Sequence, residues 1–446
     1  MKHFNKFYIK KSHFDLNSWI LELNYSFDDD IFFKEIINFK DENFEILPTL
    51  DKDIIQNIVL NISIALGTSY YKAYPTRDIV IQDWYLDDYQ KDFWTRFYKF
   101  GLWEFLYKNQ IDPTWLFNFI TTWSNNSKQL DLTWELQPRA IVPIWWGKDS
   151  CLTIEKINNA WVDFDLFTFS SKDNNIFKDI TNVVSKKRLF VKRQLSPELF
   201  KLNELGYYNG HVPITWQMSF ILVLVAYLYW YKYIVWSNEY SANYWNLLYK
   251  WIEINHQYSK SIYFENDMRD YIKRYFSTDL EYFSILRWYY EARIVKEFAQ
   301  FEKYFPYFTS CNKNFKVIKK SINERWCLDC PKCWFVFACL HPYLDNKNLL
   351  KIFGKNMYED HEQETLFREL LGISWHKPFE CVGTNEEVIF SMWKSYNNEE
   401  DKTKLPFILK LFEREVLPKM TDNDFYELGQ KMFKNYENNI PDVFLD

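Results

Sequence analysis

Apolar and polar positions alternate along the middle of the chain with two periods, one typical of strands and one typical of helices. The run Arg139–Ile144 (RAIVPI) is short and apolar like a buried strand, and the following CLTIEKI places Leu152, Ile154 and Ile157 at helical spacing. The pattern predicts further strands at Val162–Ser170, Arg188–Leu195 and Tyr233–Trp236, and helices at Ile176–Val184, from Ser196 onward and through Phe220–Tyr231. Strands that alternate with helices form a parallel sheet flanked by helices, so the pattern predicts an α/β fold.

Three regions follow from these patterns. Residues 1–130 are polar and aromatic-rich, and apolar residues at i, i+3 and i+4 in Asp83–Leu106 predict a mostly helical N-terminal region. Residues 131–325 form the predicted α/β domain, in which Glu281–Phe301 is interpreted as one long helix. Residues 326–446 form a helical C-terminal region that contains cysteine and histidine.

The segment after the first predicted strand has the chemistry of an anion site. The motif GKDS at 147–150 forms a tight turn at a helix N-terminus, where backbone N–H groups lack partners and the helix dipole favours negative charge. Lys148, expected to be exposed, adds a point charge for phosphate, and Ser150 can cap the helix. Ligands of parallel sheets bind at the carboxyl ends of the strands, where we expect residues 145–150, 209–215 and the segment after 236 to meet.

Tryptophan is unusually frequent in this chain and glycine is unusually rare. The 20 Trp and 9 Gly among 446 residues together make up about 6.5% of the chain, close to the ~7% that glycine alone usually contributes. Trp145 and Trp146 stand where a phosphate loop needs glycine, because the turn requires unusual φ/ψ angles and close approach of the backbone. We infer that many tryptophans are glycines in the living cell, encoded by a reassigned UGA codon. The alternative is that the tryptophans are genuine and block the loop.

Charge and cysteine content limit the classes of function. The net charge of −6 gives no reason to expect a nucleic-acid partner. The twelve apolar residues of Phe220–Tyr231 are fewer than the ~20 of a membrane span, so we expect a buried helix and no stable membrane insertion. Seven cysteines without a visible secretory signal predict a reducing cytoplasm, with free thiols or a metal site in place of disulfides.

Three cysteines in the C-terminal region have the spacing of metal ligands. Cys327, Cys330 and Cys333 are spaced by two residues and precede an apolar helix, so they can converge on one metal ion with Cys381 or His376 as a fourth ligand. Zn²⁺ and a [4Fe–4S] cluster are the two metal interpretations. Reduced, partly buried thiols at a helix start are the alternative to both.

A second short segment is dense in acid–base groups. HKPFECVG at 376–383 places His376, Lys377, Glu380 and Cys381 within six residues, and a solvated turn is the alternative interpretation. His211 and His256 also lie in polar, Gly- or Asn-containing segments. A lone histidine is more often structural than catalytic.

Several of these motifs resemble known families. The loop resembles the SGGKDS or GGGKDS loop of the PP-loop ATP pyrophosphatases, which have an adenine nucleotide alpha hydrolase-like fold and cleave ATP to AMP and pyrophosphate. Over about residues 85–390 the chain resembles the MurL family, the UDP-N-acetyl-α-D-muramoyl-L-alanyl-L-glutamate epimerases. The matching pieces are PIWWGKDS at 143–150, NGHVPIT at 209–215, SNEYSANYWN at 237–246, NHQYSKS at 255–261, CPKCWFVF at 330–337 and HKPFECVG at 376–383. Glycine at Trp103, Trp146, Trp245 and Trp375 would improve the match.

The MurL resemblance implies a cytoplasmic step of peptidoglycan precursor synthesis. The terminal L-glutamate of UDP-MurNAc-L-Ala-L-Glu, a small-molecule substrate, becomes D-glutamate, and the reaction requires ATP and Mg²⁺. Adenylation of the carboxylate makes the α-proton far easier to remove. Acid–base groups then move the proton between faces, and such groups typically contribute ~10²–10⁴-fold each to the rate.

The resemblance also implies roles for individual residues. The pyrophosphate and nucleotide are expected at Trp145, Trp146, Gly147, Lys148, Asp149, Ser150, Asn238 and Glu239, with Mg²⁺ at Asp149. The substrate is expected at His211, His256, Ser259, Lys260, Lys377 and Glu380. Proton transfer is expected from Cys330, Cys333, His376 and Cys381, with a metal site at Cys327, Cys330 and Cys333 as the alternative role of these thiols.

Two other functions fit parts of the sequence. A PP-loop enzyme of another class, such as an RNA thiolase that uses the cysteines for sulfur transfer, would need a basic surface, which the net charge of −6 does not suggest. A non-catalytic, metal-stabilised binding protein would be favoured by genuine tryptophans at positions 145 and 146.

Overall fold

One large sheet runs through the protein. The computed structural model describes residues 2–44, 50–123, 131–145, 147–244, 247–249, 252–255, 257–315, 325–374 and 382–445. Eleven of the strands in these residues form one sheet, and β11 and β12 form a separate hairpin. The strands are β1 (Lys6–Ile9), β2 (His13–Asp15), β3 (Ile20–Phe27), β4 (Ile31–Asn38), β5 (Asp78–Ile81), β6 (Asn118–Thr121), β7 (Gln137–Pro143), β8 (Phe164–Ser170), β9 (Arg188–Gln194), β10 (Tyr231–Trp236), β11 (Leu247–Tyr249), β12 (Ile252–Ile254) and β13 (Glu281–Ser284).

Helices flank this sheet and make up the C-terminal part of the described chain. They are α1 (Lys52–Tyr71), α2 (Asp88–Gly101), α3 (Trp103–Lys108), α4 (Lys148–Asn159), α5 (Asn175–Val184), α6 (Pro197–Glu204), α7 (Ile214–Tyr229), α8 (Ile262–Tyr275), α9 (Glu291–Phe298), α10 (Pro331–Leu340), α11 (Asn346–Phe353), α12 (Glu364–Leu370), α13 (Asn385–Asn398), α14 (Phe407–Glu415) and α15 (Asp422–Phe433). Short 3-10 turns at Tyr240–Asn243 and Tyr258–Lys260 lie close to the site described below.

The strand order divides the sheet into a parallel half and a mixed half. The order is β13-β10-β7-β8-β9-β4-β3-β1-β5-β6, with β2 paired to β3. The five strands from β13 to β9 are parallel to one another. Numbered from β7 along the chain, they stand in the order 3-2-1-4-5, the order of doubly wound nucleotide-binding sheets. The α/β prediction is therefore confirmed as a mixed α/β fold with mostly parallel strands.

Most predicted elements of the parallel half are present. The predicted strands are found as β7, β8, β9 and β10, and the predicted helices as α4, α5, α6 and α7. Helix α7 is buried from Thr215 to Tyr229, as expected for a helix that is apolar on every side. Among the described residues, no helix is both long enough and apolar enough to cross a membrane.

Two predicted elements are wrong. The first 38 residues are strands β1 to β4 in place of the expected helices, and their side chains alternate between buried and exposed with the period of a strand. Strand β4 pairs antiparallel with β9, so these strands extend the sheet. Residues 281–301 are not one helix, because β13 ends at Ser284 and α9 begins at Glu291.

A buried ion pair joins the two halves of the sheet. Arg193 of β9 donates from Nε to Glu35 Oε1 of β4 over 2.6 Å, and from Nη1 to Gln217 Oε1 of α7 over 2.9 Å. Breaking a buried pair of this kind on one side typically costs 3–5 kcal/mol. The pair therefore fixes the N-terminal strands to the parallel half and to its central helix.

Three tryptophans adopt the left-handed backbone conformation that favours glycine. The φ angles of Trp19, Trp161 and Trp230 are 60°, 55° and 60°. Trp230 ends α7 at the position where glycine is most common in helices, and Trp161 lies two residues after Asn159, the last residue of α4. A residue with a Cβ is strained in this conformation, so these three positions have the backbone geometry of glycine.

Trp161→Gly should therefore stabilise the protein. The Trp161 side chain is 94% exposed, so its removal loses little burial, while the left-handed strain of about 1 kcal/mol is relieved. The free energy of unfolding in urea measures the change. Trp115→Gly is the control, since Trp115 is also exposed but has no left-handed φ, and it should give no gain. A Trp161→Gly protein less stable than the parent would contradict the strain argument.

Candidate active site

Helix α4 begins directly after the loop that follows β7. Gly147 is its N-cap residue in an extended conformation, and no side chain caps the helix there, so its first backbone N–H groups can face an anion. The Trp145 N–H donates to Ser150 Oγ over 2.9 Å, which closes the loop onto the first turn of α4. A Cβ at Gly147 would lie 3.2 Å from Ser310 Oγ, so the segment around Ser310 packs tightly against this loop.

The loop lies where the winding of the sheet reverses. Strand β7 stands between β8, the next strand in the chain, and β10, which comes after β9. In such sheets the carboxyl ends of the two central strands flank a crevice that binds ligands. Strand β7 leads into the Gly147 loop and β10 leads into Asn238 and Glu239, so the structure places these predicted residues at the same edge of the sheet.

Hydrogen bonds to their backbone groups hold Asn238 and Glu239 in place. The Asn238 N–H donates to Ser284 Oγ over 2.7 Å, and the Glu239 carbonyl accepts from Arg287 Nη1 over 3.0 Å. Glu239 is buried, and no donor among the described residues hydrogen-bonds its carboxylate. Glu239 therefore lies at the ligand-binding edge of the sheet, with its backbone fixed by Arg287.

Lys148 is buried in a network of opposite charges, and its expected exposure is wrong. Its Nζ lies 2.7 Å from Asp149 Oδ1 and also forms an ion pair with Glu291 at the start of α9. Lys332 of α10 binds the other oxygen of Glu291 over 2.9 Å. We call Lys148, Glu291 and Lys332 the ion network; all three are buried, and the network joins the loop to α9 and α10.

Electrostatics keep the ion network charged. Burial alone would raise the pKa of the Glu291 carboxyl, but the charges of Lys148 and Lys332 lower it to about 2. Burial alone would lower the pKa of Lys148, but Asp149 and Glu291 raise it above its ordinary value. The positive charge of Lys148 is therefore maintained next to the N-terminus of α4.

Glu387 of α13 is a second buried carboxyl beside the ion network. It accepts hydrogen bonds from the Thr384 N–H over 2.6 Å, from the Ala292 N–H over 3.0 Å and from Ser241 Oγ over 3.0 Å. Burial and the charge of Glu291 raise its pKa to about 7. A carboxyl with this pKa can exchange a proton near neutral pH.

The predicted substrate residues Ser259 and Lys260 lie in a turn that packs on the same region. Asn255 Nδ2 donates to the Ala242 carbonyl over 2.9 Å, and the Ile262 N–H donates to Asn243 Oδ1 over 2.8 Å. Gln257 Nε2 lies 3.5 Å from the Val382 carbonyl. The turn with Ser259 and Lys260 therefore joins the segment after Glu239 to the segment that begins α13.

Four thiols converge next to the ion network. The Sγ atom of Cys333 lies 3.4 Å from that of Cys330 and 3.7 Å from that of Cys327. With Cys311 these three form a set whose sulfur atoms all lie within 4.8 Å of one another, which we call the thiol cluster. The thiol cluster could hold a metal ion. Cys339 and His341 are buried elsewhere, and burial raises the pKa of Cys339 and lowers that of His341 to about 4.

Comparison with known proteins identifies the family of this chain. The model of the MurL N-terminal domain matches residues 1–285, and that of the MurL C-terminal domain matches residues 307–424. The UDP-N-acetyl-alpha-D-muramoyl-L-alanyl-L-glutamate epimerase of Xanthomonas oryzae pv. oryzae is 34% identical over 370 residues, which cover 83% of this chain and 81% of that protein. The chain belongs to the MurL family. An epimerase of the same name from Micromonospora sp. is 34% identical over 74% of this chain and 72% of its own length, and one from Salinispora tropica is 36% identical over 57% and 55%.

The remaining predicted residues of this MurL chain are His211 and six residues that lie outside the described part of the chain. The structure places His211 against α3, with Nδ1 3.6 Å from Glu104 Oε2. Nearby, Lys72 Nζ donates to Asn209 Oδ1 over 3.0 Å and to the Gly210 carbonyl over 2.8 Å, and so fixes the turn before α7. Six predicted residues lie outside the described residues, and their roles remain predictions: Trp146, His256, His376, Lys377, Glu380 and Cys381.

Sequence reasoning missed four residues of the site. Glu291, Lys332 and Glu387 are ordinary charged residues in the sequence, and only their burial together marks them. Cys311 lies 16 residues before Cys327, outside any CxxC pair, and its only signal was that the nearby triplet lacked a fourth ligand.

Lys148→Ala should destabilise the fold, contrary to the effect expected of an exposed loop lysine. Removal of one partner of a buried pair leaves Glu291 under-compensated, and such changes typically cost 3–5 kcal/mol, of which Lys332 recovers a part. We expect a loss of about 3 kcal/mol in the free energy of unfolding. Lys201→Ala is the control, because Lys201 forms an exposed pair with Glu198 and should change stability little. Equal stability of the two variants would contradict the ion network.

Glu387 should make stability depend on pH. Its folded pKa of about 7 exceeds its ordinary value of 4.5, so its contribution is fully present below pH 4.5 and is lost as the pH rises through 7. The unfolding free energy of the parent relative to Glu387→Gln should fall by about 3 kcal/mol from pH 4.5 to pH 8. Denaturation in urea across this range measures the difference. A constant difference between Glu387→Gln and the parent across this range would disprove the shift.

Proposed function

We propose that this chain inverts the terminal L-glutamate of UDP-MurNAc-L-Ala-L-Glu to D-glutamate during peptidoglycan precursor synthesis. The observation that carries this proposal is the 34% identity to a protein named as the epimerase of this substrate, over about four-fifths of both chains. The substrate is a small molecule, and the reaction is cytoplasmic. A net charge of −6 agrees with a function that needs no nucleic acid.

We infer that ATP binds where β7 meets α4, in a domain of the PP-loop type. Three features support this inference: the strand order, the uncapped N-terminus of α4 and the charge of Lys148. Asp149 would hold Mg²⁺, because its carboxylate is a hard oxygen ligand and its side chain is partly exposed. Mg²⁺ at Asp149 would also free Lys148 from one of its two partners, so that its charge can act on phosphate.

Adenylation accounts for the use of ATP in this reaction. A carboxylate oxygen of the glutamate attacks the α-phosphorus of ATP, the bond to the β-phosphate breaks, and pyrophosphate leaves. The resulting acyl-adenylate has a more acidic α-proton, which one enzyme group removes while another returns a proton to the opposite face. Water then cleaves the mixed anhydride and releases the D-glutamyl product and AMP. The enzyme therefore needs an anion site beside two acid–base groups.

We assign the two-sided proton transfer to His376 and Cys381. Cys330 and Cys333 were candidates as well, but both lie within the thiol cluster, where thiols contact one another and leave little room for a substrate carbon. Glu387 has a pKa near neutrality and lies six residues after Cys381 in the chain, so we propose it as a further group that accepts or supplies protons. Ser259, Lys260, Lys377, Glu380, His211 and His256 remain the proposed substrate contacts, and Asn238 and Glu239 the proposed nucleotide contacts.

We also infer that several of the tryptophans are glycines in the organism. The left-handed φ angles of Trp19, Trp161 and Trp230 support this inference independently of composition. Seven described tryptophans have a buried indole N–H without an acceptor, although buried indoles usually have one: Trp94, Trp103, Trp134, Trp216, Trp236, Trp288 and Trp334. The codons at these positions test the inference directly. UGG codons would show that the tryptophans are genuine and would contradict the inference.

The function is tested with protein that carries glycine at positions 145 and 146. Incubation with UDP-MurNAc-L-Ala-L-Glu, ATP and Mg²⁺ in deuterated water should yield D-glutamate with deuterium at the α-carbon, together with AMP and pyrophosphate. His376→Gln should still release pyrophosphate but incorporate deuterium at least ~10²-fold more slowly, because one acid–base group is lost.

The matched control is His361→Gln. His361 is exposed, stacks on Phe407 and is none of the proposed binding or acid–base groups, so this variant should keep full activity. Deuterium incorporation that does not require ATP would contradict adenylation. Absence of any incorporation by the glycine-restored protein would contradict the epimerase proposal itself.

A further inference from the structure

We propose that the thiol cluster is a structural zinc site in which Cys311, Cys327, Cys330 and Cys333 bind one Zn²⁺ ion. The proposal does not depend on the epimerase activity. It adds Cys311 as the fourth ligand and gives Cys330 and Cys333 a structural role in place of a catalytic one. The argument uses the spacing of the sulfur atoms, their chemistry and their position in the fold.

The sulfur spacing fits a single metal ion. Four ligands at a Zn–S distance of about 2.3 Å at the corners of a tetrahedron lie about 3.8 Å from one another. The distances of 3.4 Å and 3.7 Å, with all four Sγ atoms within 4.8 Å, are close to that value. In a [4Fe–4S] cluster the four thiolates bind four different irons and are necessarily farther apart, so this geometry favours one ion over the cluster.

The donor set also identifies the class of ion. Four thiolates form a soft site that selects Zn²⁺ among common divalent ions, and a complete set of four leaves no position open for substrate. A closed site of this kind is structural. The turn from Cys327 to Cys330 contains Leu328 at a left-handed φ of 59°, a strained conformation that brings the two cysteines to the same side.

The site lies where it can fix the nucleotide loop. Cys311 follows Ser310, which packs against Gly147, and the Cys311 N–H donates to Thr309 Oγ1 over 3.2 Å. Cys330 and Cys333 flank Lys332, which binds Glu291 of the ion network. One ion at the centre would therefore hold both Ser310 and Lys332 in place, on two sides of the first residues of α4.

Metal analysis of the full chain tests the proposal. Protein purified without chelator should contain about one zinc per chain and no iron, and cobalt(II) in place of zinc should give the visible bands of a tetrahedral tetrathiolate site. Cys311→Ser should lose the zinc and melt at a lower temperature, because metal binding is coupled to folding. Cys339→Ser is the control. Cys339 is a buried thiol of α10, the helix that contains Cys333, but it lies outside the thiol cluster, so this variant should keep the zinc.

The outcomes separate clearly. Stoichiometric iron would overturn the proposal, as would a folded protein that takes up neither zinc nor cobalt. A loss of zinc in Cys339→Ser equal to that in Cys311→Ser would overturn it as well. If Cys311→Ser does not fold, zinc content and the cobalt spectrum of the parent still decide. Zinc removal should also speed hydrogen–deuterium exchange at residues 147–153 but not in β8, and unchanged exchange at residues 147–153 would disprove the coupling to the loop.

Discussion

The ion network of Lys148, Glu291 and Lys332 is the constraint on which the rest of the site depends. Each of these charges would cost several kcal/mol to bury alone, so each is stable only when the others are in place. The loop after β7, the start of α9 and the start of α10 must therefore form together. This explains how residues more than 180 positions apart in the chain form one buried cluster of fixed charge.

The charge of the network also sets the chemistry of its surroundings. Glu291 stays ionised because two lysines share it, and its negative charge is what raises the pKa of Glu387 beyond the effect of burial. One carboxyl is thus kept charged and its neighbour is kept close to half-protonated at neutral pH. Two carboxyls with pKa values moved in opposite directions are a common arrangement in sites that transfer protons.

The sequence predicted the parts of the fold that depend on local pattern. Strands β7 to β10 and their helices follow apolar periods that tertiary contacts do not override. The long helix over 281–301 failed because β13 and the turn after it are rich in aromatic residues, whose spacing fits a helix and a buried strand equally well. Strands β1 to β4 were missed although β2, β3 and β4 pair locally, and only the pairing of β4 with β9 depends on contacts across more than 150 residues.

The site was predictable where the motif is local and unpredictable where it is assembled from distant parts. The position of Gly147 and of Glu239 follows from strand ends, which the pattern locates. The burial of Lys148 does not, because it requires Glu291, and nothing in the sequence near Glu291 distinguishes it from a surface residue. Cys311 is of the same kind, since its three partners are identified by spacing but Cys311 is identified only by the fold.

The turn at the start of α10 shows how one short segment can serve both assemblies. Cys330 is the N-cap residue of α10, with an extended backbone, and Cys333 lies in the first turn of the helix, and both reach the thiol cluster. Lys332 is two residues from Cys330 and points to a different side, where it meets Glu291. The same short turn therefore holds the two cysteines in the thiol cluster and Lys332 in the ion network. The order of the thiol cluster and the charge beside the nucleotide loop are two consequences of the same turn.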